Sequence, residues 1–422
     1  MFNKKLYFVG IGGSGMMPLA LLYASAGFEV SGSDRSFDKD PSDERLSLLK
    51  QNGISVFREG QGGSVGACSV VSTAIESSHP DIAGALSIEH RSLALKNLLK
   101  ELRSSETIMV AGSSGKTTTT AMIGWILERC GYDPLIYLGG ELNGIAPLGA
   151  RFGRGIAVLE IDESDGSIEK FSPDIGVLTS ISEDHKPLNE IELLFSNFMS
   201  KSKKRIVSKN AEYLLRKNGL NCETADEFAI PVSGLLGGFN RVNEALAVRT
   251  AMCAGITEAC AKNALKDFPG VARRLQILFR DSQRAVIDDF AHNPEKVAAS
   301  LLALRKLEMR LMVIFQPHGY GPTKMHAKGF GKVFSEMLLD KDRLVMLPIF
   351  DAGGTADRSV KSEMIIENVK GPDCISVKDK DEAYSKGIEF LNAGGALVVM
   401  GARDRGLKKL ALKFARKIKL EV

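Results

Sequence analysis

Short apolar runs of four to six residues alternate along this chain with longer stretches whose apolar positions recur every three or four residues. Runs that short suit strands buried on both faces, and the longer period suits helices packed against them. The alternation predicts βα units on mainly parallel sheets, hence an α/β chain. Residues 6–10 read as a strand, 16–26 as a helix stopped by Gly27, and 28–32 as the next strand. A strand and glycine turn over 107–115 leads into a helix over 116–130, which Gly131 is placed to end. Further strands are predicted at 156–159 and 177–181. After Phe268-Pro269-Gly270 the alternation restarts, with strands at 285–288, 311–315, 343–347 and 396–400. The basic stretch 407–420 spaces its apolar residues as an amphipathic helix, read as docked on the protein and not as a membrane anchor.

At 422 residues the chain exceeds one core and approaches three domains of roughly 100–200 residues each. Boundaries near 103 and 273 divide it into 1–103, 104–272 and 273–422. Hydrophobic residues make up 44% and charged residues 25%, which excludes a disordered or fibrous chain. Lys+Arg number 55 against 51 Asp+Glu, an excess too small for a general nucleic-acid binder. No apolar run spans a bilayer, and the first residues enter a glycine-rich turn instead of a cleavage site; a cytoplasmic protein with no membrane partner is expected. Cys68, Cys130, Cys222, Cys253, Cys260 and Cys374 are scattered without a Cys-x-x-Cys pair, and are expected to be reduced and buried, not bridged or bound to zinc.

Gly10-Ile11-Gly12-Gly13-Ser14-Gly15 follows a predicted strand and opens a helix. Without Cβ atoms, backbone N–H groups there can close on a diphosphate at the positive helix end. Asp34 ends the next strand, where an acid would meet a ribose. NAD, FAD and a nucleotide-sugar diphosphate all satisfy this pattern. Gly112-Ser113-Ser114-Gly115-Lys116-Thr117 is a shorter phosphate loop, with Val110 where the standard loop needs glycine. Its amides and Lys116 would still cradle phosphates, while the Thr117 hydroxyl offers itself to Mg²⁺.

Glu160-Ile161-Asp162-Glu163-Ser164-Asp165 puts carboxylates at the C-terminal edge of a strand, where open α/β sheets bind ligands and hard oxygens suit Mg²⁺. Glu183-Asp184-His185 repeats the arrangement one strand later. Arg273-Arg274 and Asp288-Asp289-Phe290-Ala291-His292-Asn293-Pro294 then follow in order. A cation is needed to hold a transferring phosphoryl group, and carboxylates suit ribose hydroxyls.

In this order, over essentially the whole chain, the residues resemble the Mur ligases, ATP-dependent enzymes that add amino acids to UDP-N-acetylmuramate in peptidoglycan synthesis. The resemblance implies a Rossmann-like N-terminal domain for the UDP-sugar, a central P-loop ATPase-type domain, and a Rossmann-like C-terminal domain that binds the acceptor and completes the ATP site. Residues 9–16, 30–34 and Val71-Ser72-Thr73-Ala74-Ile75 look most like the alanine-adding branch. By that similarity Gly12, Gly13, Ser14, Gly15, Met16 and Asp34 hold a UDP-sugar diphosphate and not NAD, with Ser72, Thr73, His90 and Arg91 as further substrate contacts. Gly112, Ser113, Ser114, Gly115, Lys116, Thr117 and Thr118 are expected to bind ATP, and Mg²⁺ falls to Thr117, Glu160 and His185, with Glu163 a neighbour. Asn240 and Asn243 resemble an Asn-x-x-Asn stretch near adenine. Arg274 is expected at the γ-phosphate, Asp289 at the ribose and His292 beside the nucleotide. The catalytic set so implied is Lys116, Arg274, His185 and His318, the last placed to assist the incoming amine.

The chain departs from the family pattern in several places. Ser113-Ser114 replaces Thr-His or Thr-Asn, Ser180 stands where Asn is common, Phe239 where His is common, and the interval from His185 to Asn240 is short. Phe315-Gln316-Pro317-His318-Gly319-Tyr320-Gly321-Pro322 lacks the arginines that in the family follow its His and Tyr and help hold the amino acid; Arg403 in Gly401-Ala402-Arg403-Asp404 is a candidate replacement. The acceptor is therefore an amino acid, L-alanine favoured, or a preformed tripeptide as in the recycling branch. The expected chemistry is phosphorylation of the sugar's lactyl carboxylate by MgATP, then attack of an amine on the acyl phosphate. Two other classes compete: an NAD-dependent dehydrogenase, which explains the first glycine turn but not the second loop, and a non-catalytic nucleotide-binding protein, which suits the departures at Ser113, Ser180 and Gly319. A monomer or homodimer is expected.

Overall fold

The structure, a computed structural model, describes residues 5–164, 166–182, 187–225, 232–351, 357–402 and 404–420. The first sheet contains β1 (Lys5–Val9), β2 (Glu29–Ser33), β3 (Ser55–Phe57), β4 (Cys68–Val71) and β5 (Ser87–His90), in the order β3-β2-β1-β4-β5 and all parallel. Its helices are α1 (Met16–Ser25), α2 (Arg35–Lys39), α3 (Glu44–Gln51) and α4 (Arg91–Leu102). The central strand β1 is apolar without alternation because both of its faces are covered: Leu6 and Phe8 pack in the helix-lined core, and Tyr7 and Val9 pack with Ala67, Val71 and Ile75 on the other side. Helix α1 is buried from Met16 to Tyr23 with no polar stripe, since it packs on its own sheet and also against residues of the second sheet in one continuous core.

The second sheet runs β12-β11-β10-β6-β9-β7-β8, from β6 (Thr107–Ala111), β7 (Leu135–Tyr137), β8 (Ala150–Arg151), β9 (Ala157–Glu160), β10 (Ile175–Leu178), β11 (Lys204–Ser208) and β12 (Glu223–Ala225); only β8 is antiparallel. Helix α5 (Lys116–Arg129) leaves the central strand β6, and α6 (Leu188–Ser200), α7 (Glu212–Lys217), α8 (Gly238–Cys253) and α9 (Glu258–Lys266) complete this part. Because β6 lies beside β9 and parallel to it, the phosphate loop and the acidic end of β9 emerge at one edge. The cysteine expectation is corrected here: Cys130, which caps α5, is bridged to Cys260 on α9 with Cα atoms 6.4 Å apart. The two are 130 residues apart in sequence and meet because α9 packs on α5, where Trp125 Nε1 donates to Ala264 O at 2.8 Å. The other four cysteines are free and half-buried, not fully buried.

The third sheet runs β13-β14-β18-β15-β16-β17, from β13 (Gln276–Arg280), β14 (Arg284–Asp289), β15 (Leu311–Phe315), β16 (Arg343–Met346), β17 (Asp373–Ser376) and β18 (Gly395–Met400); β13 alone is antiparallel. Helices α10 (Pro294–Leu304), α11 (Tyr320–Met337) and α12 (Glu363–Ile366) cover one face, and α13 (Lys380–Asn392) and α14 (Arg405–Lys419) the other. Helix α14 buries Leu407, Phe414 and Ile418, so it is docked as its spacing predicts. Among the described residues no helix is long and apolar enough to cross a membrane. The first two sheets form one compact unit, residues 1–234 with 239–271, and the third sheet forms another, 235–238 with 272–422.

Candidate active site

The phosphate loop leaves β6 at Gly112, with φ 138°, and enters α5 through Gly115, with φ 89°, both conformations that side-chain-bearing residues rarely adopt. A Cβ on Gly112 would also strike Thr179 Oγ1, and one on Gly115 would lie 2.6 Å from Asn243 Oδ1. The loop is tied to the segment after β10. Ser113 N donates to Ser180 O at 3.1 Å, Ser113 Oγ to Ser182 O at 2.8 Å, and Ser114 N to Ser180 Oγ at 2.8 Å. Thr118 follows on α5, half-exposed. Lys116 Nζ donates to Gly112 O at 2.6 Å and to both oxygens of Glu163 at 2.8 and 3.1 Å. Helix α8 brings Asn240 and Asn243 to the same place: Thr119 Oγ1 donates to Asn243 Oδ1 at 3.2 Å, and Asn243 Nδ2 to Asn240 Oδ1 at 3.0 Å.

The end of β9 supplies the carboxylates. Glu160 accepts the Thr117 hydroxyl at 2.8 Å and the Gly139 amide at 2.7 Å. Burial pushes the Glu163 carboxyl up from its ordinary range, against the pull of Lys116. Thr117 and Glu160, two of the three expected metal ligands, therefore adjoin beside the loop, and their hard oxygens suit Mg²⁺. Glu183, Asp184 and His185 lie outside the described residues, as does Asp165. Among the described residues no three His, Cys, Asp or Glu side chains cluster as a metal site.

The glycine turn lies in the same unit and shares a wall with this edge. Arg91, first residue of α4, covers Gly15 so closely that a methyl there would overlap its guanidinium, and its Nη2 stands 3.6 Å from Asp162 Oδ2. Tyr137, at the end of β7, donates its hydroxyl to Gly15 O at 2.9 Å. His90 caps α4 by accepting the Ser92 amide at 3.3 Å. Gly13 donates its amide to Gly10 O at 3.0 Å, which closes the turn. Asp34 accepts the Gly12 amide at 2.9 Å and the Ser36 amide at 2.8 Å, so its carboxylate fixes the turn and caps α2. Met16 is buried in the core; Ser72 and Thr73 follow β4, half-buried and exposed. Nothing in the spacing marked Tyr137, a lone ring at the end of a short apolar run, or Arg45, which also reaches the turn.

The second unit holds the remaining expected residues. Arg274 packs its guanidinium 5.3 Å from the Phe290 ring centre, and His292 meets the same ring edge-on at 5.5 Å. Arg273 pairs with Asp288 at 3.2 Å and donates to Gly401 O at 2.7 Å. Asp288 is fully buried, which pushes its carboxyl up to about 6 even though Arg273 pulls the other way. Asp289 accepts the Leu275 and Phe290 amides at 3.2 and 2.8 Å and the Ser300 hydroxyl, so its carboxylate binds the junction into the sheet. His318 stacks on Phe350 at 5.5 Å. Arg403 lies outside the described residues.

Family profiles match the chain in three consecutive pieces: the Mur ligase family catalytic domain over residues 5–106, the Mur ligase middle domain over 110–209, and the Mur ligase glutamate ligase domain over 273–403. The chain belongs to the Mur ligase family. A UDP-N-acetylmuramate–L-alanine ligase of Endomicrobium trichonymphae is 32% identical, with 97% of this chain and 99% of that one covered. One from Aquifex aeolicus is 30% identical over 99% and 98%. The Endomicrobium alignment runs over 458 positions, more than this chain's 422, so that Mur ligase has residues this one lacks. Among solved structures, a UDP-N-acetylmuramate-alanine ligase of Thermotoga maritima superposes with a TM-score of 0.82 at 24% identity, covering 99% of this chain and all of that one. A murein peptide ligase of Psychrobacter arcticus gives 0.66 at 20% identity, covering 97% and 98%. Both likenesses confirm the three-domain α/β fold.

Proposed function

We propose that this Mur ligase joins the lactyl carboxylate of UDP-N-acetylmuramate to the amine of L-alanine, cleaving ATP to ADP and phosphate. The observation that carries the reading is two anion cradles in one compact unit, the glycine turn before α1 and the phosphate loop before α5, bridged by Arg91 and Tyr137. The alanine-adding relatives, matched over almost their full length, support the choice of acceptor. Residues 1–103 are assigned to the UDP-sugar, 104–272 to ATP, and 273–422 to the acceptor and the rest of the ATP site.

A free carboxylate resists attack because its charge and resonance repel nucleophiles. Transfer of the γ-phosphoryl group forms a carboxyl O–P bond as the bond to ADP breaks, and leaves a carbonyl with a good leaving group. The amine then forms the amide, phosphate departs, and the nitrogen gives up its proton. In this scheme the positive end of α1, with Arg91 above Gly15, seats the diphosphate. The loop amides and Lys116 hold the β- and γ-phosphates, once Lys116 exchanges its Glu163 contact for them. Thr117, Glu160 and His185 would hold Mg²⁺, which when bound neutralises charge on the transferring group. From the second unit, the family resemblance assigns Arg274 to the γ-phosphate, Asp289 and His292 to the nucleoside, and His318 to the amine.

The test is phosphate release by the purified protein with ATP, Mg²⁺ and UDP-N-acetylmuramate, offered L-alanine, other amino acids or the tripeptide in turn. Release is expected with L-alanine and only when the UDP-sugar is present. Release supported by the tripeptide alone would move the chain to the recycling branch, and ATP cleavage indifferent to the UDP-sugar would sink the ligase reading.

A further inference from the structure

Arg45 belongs to the first turn of α3, yet it is only 7% exposed. A guanidinium is buried where charge and hydrogen bonds offset its lost hydration. Asp43, also 7% exposed, supplies the charge: its oxygens accept Arg45 Nε at 3.1 Å and Nη2 at 2.6 Å. The donors left over go to the glycine turn. Arg45 Nη1 donates to the carbonyl of Gly12, and Nη2 reaches Ser36 Oγ at 3.3 Å. The amide of the same glycine donates to Asp34 Oδ2 at 2.9 Å, while Asp34 Oδ1 is held by Ser36 N at 2.8 Å and Ser36 Oγ at 2.6 Å. Phe37 supports the guanidinium from 4.9 Å. A Cβ on Gly12 would come within 2.9 Å of Asp34 Oδ2 and 3.0 Å of Arg45 Nη1, so the clasp closes only around glycine.

Both polar groups of Gly12 are thus spoken for from the protein side, and the Gly13 amide is bonded to Gly10 O at 3.0 Å. The turn's remaining amides, at Ser14 and Gly15, follow within three residues of Gly12 and lead directly into α1. We propose that Arg45 is a positioning residue of the UDP-sugar site: together with Asp34 it locks the two peptide groups that flank Gly12, and so holds the turn with its Ser14 and Gly15 amides free for the diphosphate, without touching the substrate. The inference rests on reading the glycine turn as the seat of the UDP-sugar. Its energetic content is preorganisation, since a turn already in the bound shape loses no ordering entropy when the ligand arrives.

The experiment uses the full chain carrying Arg45→Gln, Arg45→Lys or Asp34→Asn, with calorimetric titration of UDP-N-acetylmuramate, UDP and ATP and with steady-state rates. Arg45→Gln is expected to weaken UDP-N-acetylmuramate and UDP alike by about tenfold, the worth of one hydrogen bond to a charged group. ATP affinity should stay unchanged and kcat at saturating UDP-sugar should be kept, so the loss falls in KM. Arg45→Lys should recover part of it, because an ammonium can reach the Gly12 carbonyl but cannot pair through two nitrogens with Asp43. A folded Arg45→Gln protein with native UDP affinity overturns the proposal, as does a variant that loses ATP and UDP-sugar equally, which marks a general fold defect. Should Arg45→Gln fail to fold, Asp34→Asn decides, since its single oxygen can serve Ser36 or Gly12 but not both; unaltered UDP affinity there overturns the clasp. A wild-type chain that binds no UDP-sugar refutes the functional reading itself, whereas normal wild-type binding with an indifferent Arg45→Gln refutes the clasp alone.

Discussion

Glu163→Gln tests how the nucleotide half is kept ready. The ammonium of Lys116 has three hydrogens and three contacts, to Gly112 O at 2.6 Å and to the two oxygens of Glu163 at 2.8 and 3.1 Å. A phosphate oxygen can reach Lys116 only by displacing or sharing that carboxylate. A hydrogen bond involving a charged group contributes about 1.5–3 kcal/mol, and with only one ionised partner roughly half the strength remains. Replacing the carboxylate by an amide should therefore release about 1 kcal/mol of competition, an ATP affinity about fivefold tighter. The sign of the pH dependence is also fixed. The Glu163 carboxyl is raised by burial, so the stability it contributes is complete below its unfolded value and is lost as pH rises through its folded value. Wild-type stability should accordingly fall as pH rises through that folded value, while Glu163→Gln, which has no titrating carboxyl there, should not follow it. Calorimetric ATP titration and thermal unfolding across pH measure both effects. If a well-folded Glu163→Gln protein bound ATP more weakly than wild type, the carboxylate would belong to the nucleotide-bound state and the competition argument would be wrong.

Three further perturbations separate the parts of the site. Lys116→Ala should lose about 3–4 kcal/mol of transition-state stabilisation, some hundredfold to thousandfold in kcat, while still binding UDP-sugar in a titration; near-normal turnover would remove Lys116 from the mechanism. Gly15→Ala places a methyl where the Arg91 guanidinium lies, in a backbone conformation, φ −98°, that alanine accepts. Its KM for UDP-N-acetylmuramate should rise about tenfold with ATP unaffected, and an unchanged KM would disconnect Arg91 from the sugar. The Asp288 carboxyl is raised from 3.8 to about 6, chiefly by burial, so the stability it contributes is full below 3.8 and disappears as pH climbs through about 6. At about 1.4 kcal/mol per unit this is a total loss of about 3 kcal/mol across that pH range, which Asp288→Asn should abolish; equal pH slopes of Tm in the two proteins would contradict it.

The strands were legible wherever both faces are covered, as at β15, where the predicted and observed bounds coincide at Leu311–Phe315. The strand expected at 177–181 is Ile175–Leu178 instead, because Thr179 and Ser180 have turned to hold the phosphate loop. Both glycine turns were legible because glycine, lysine and threonine in that order have few structural uses other than binding an anion. What spacing could not show is which partner a polar group finds once the chain is folded. Asp34 and Asp289 both stand where ligand hydroxyls were expected, and both are occupied by backbone amides of their own unit. Cys130 and Cys260, Tyr137 and Gly15, and Arg45 and Gly12 are likewise pairs made by packing, invisible as local patterns.

The departures from the family pattern acquire a physical meaning when they are taken together. Ser113 and Ser180 sit on opposite sides of one contact: the Ser113 hydroxyl bonds the carbonyl of Ser182, two residues past Ser180, and the Ser180 hydroxyl accepts the Ser114 amide. Small hydroxyl residues on both sides each bond the backbone of the other segment at 2.8 Å and so tie the loop to the segment after β10. A loop drifting away from nucleotide binding has no reason to preserve such a pair, nor to keep a lysine whose charge must be balanced by a buried glutamate. Gly319 differs in kind. It holds φ 76° ahead of α11, a left-handed conformation that an arginine would rarely adopt, so this backbone favours glycine over arginine there. The departures at Ser113 and Ser180 thus leave the phosphate loop tied, whereas those after His318 fall where the family resemblance puts the amine, so the acceptor screen is the measurement that most sharply divides the alanine and tripeptide readings.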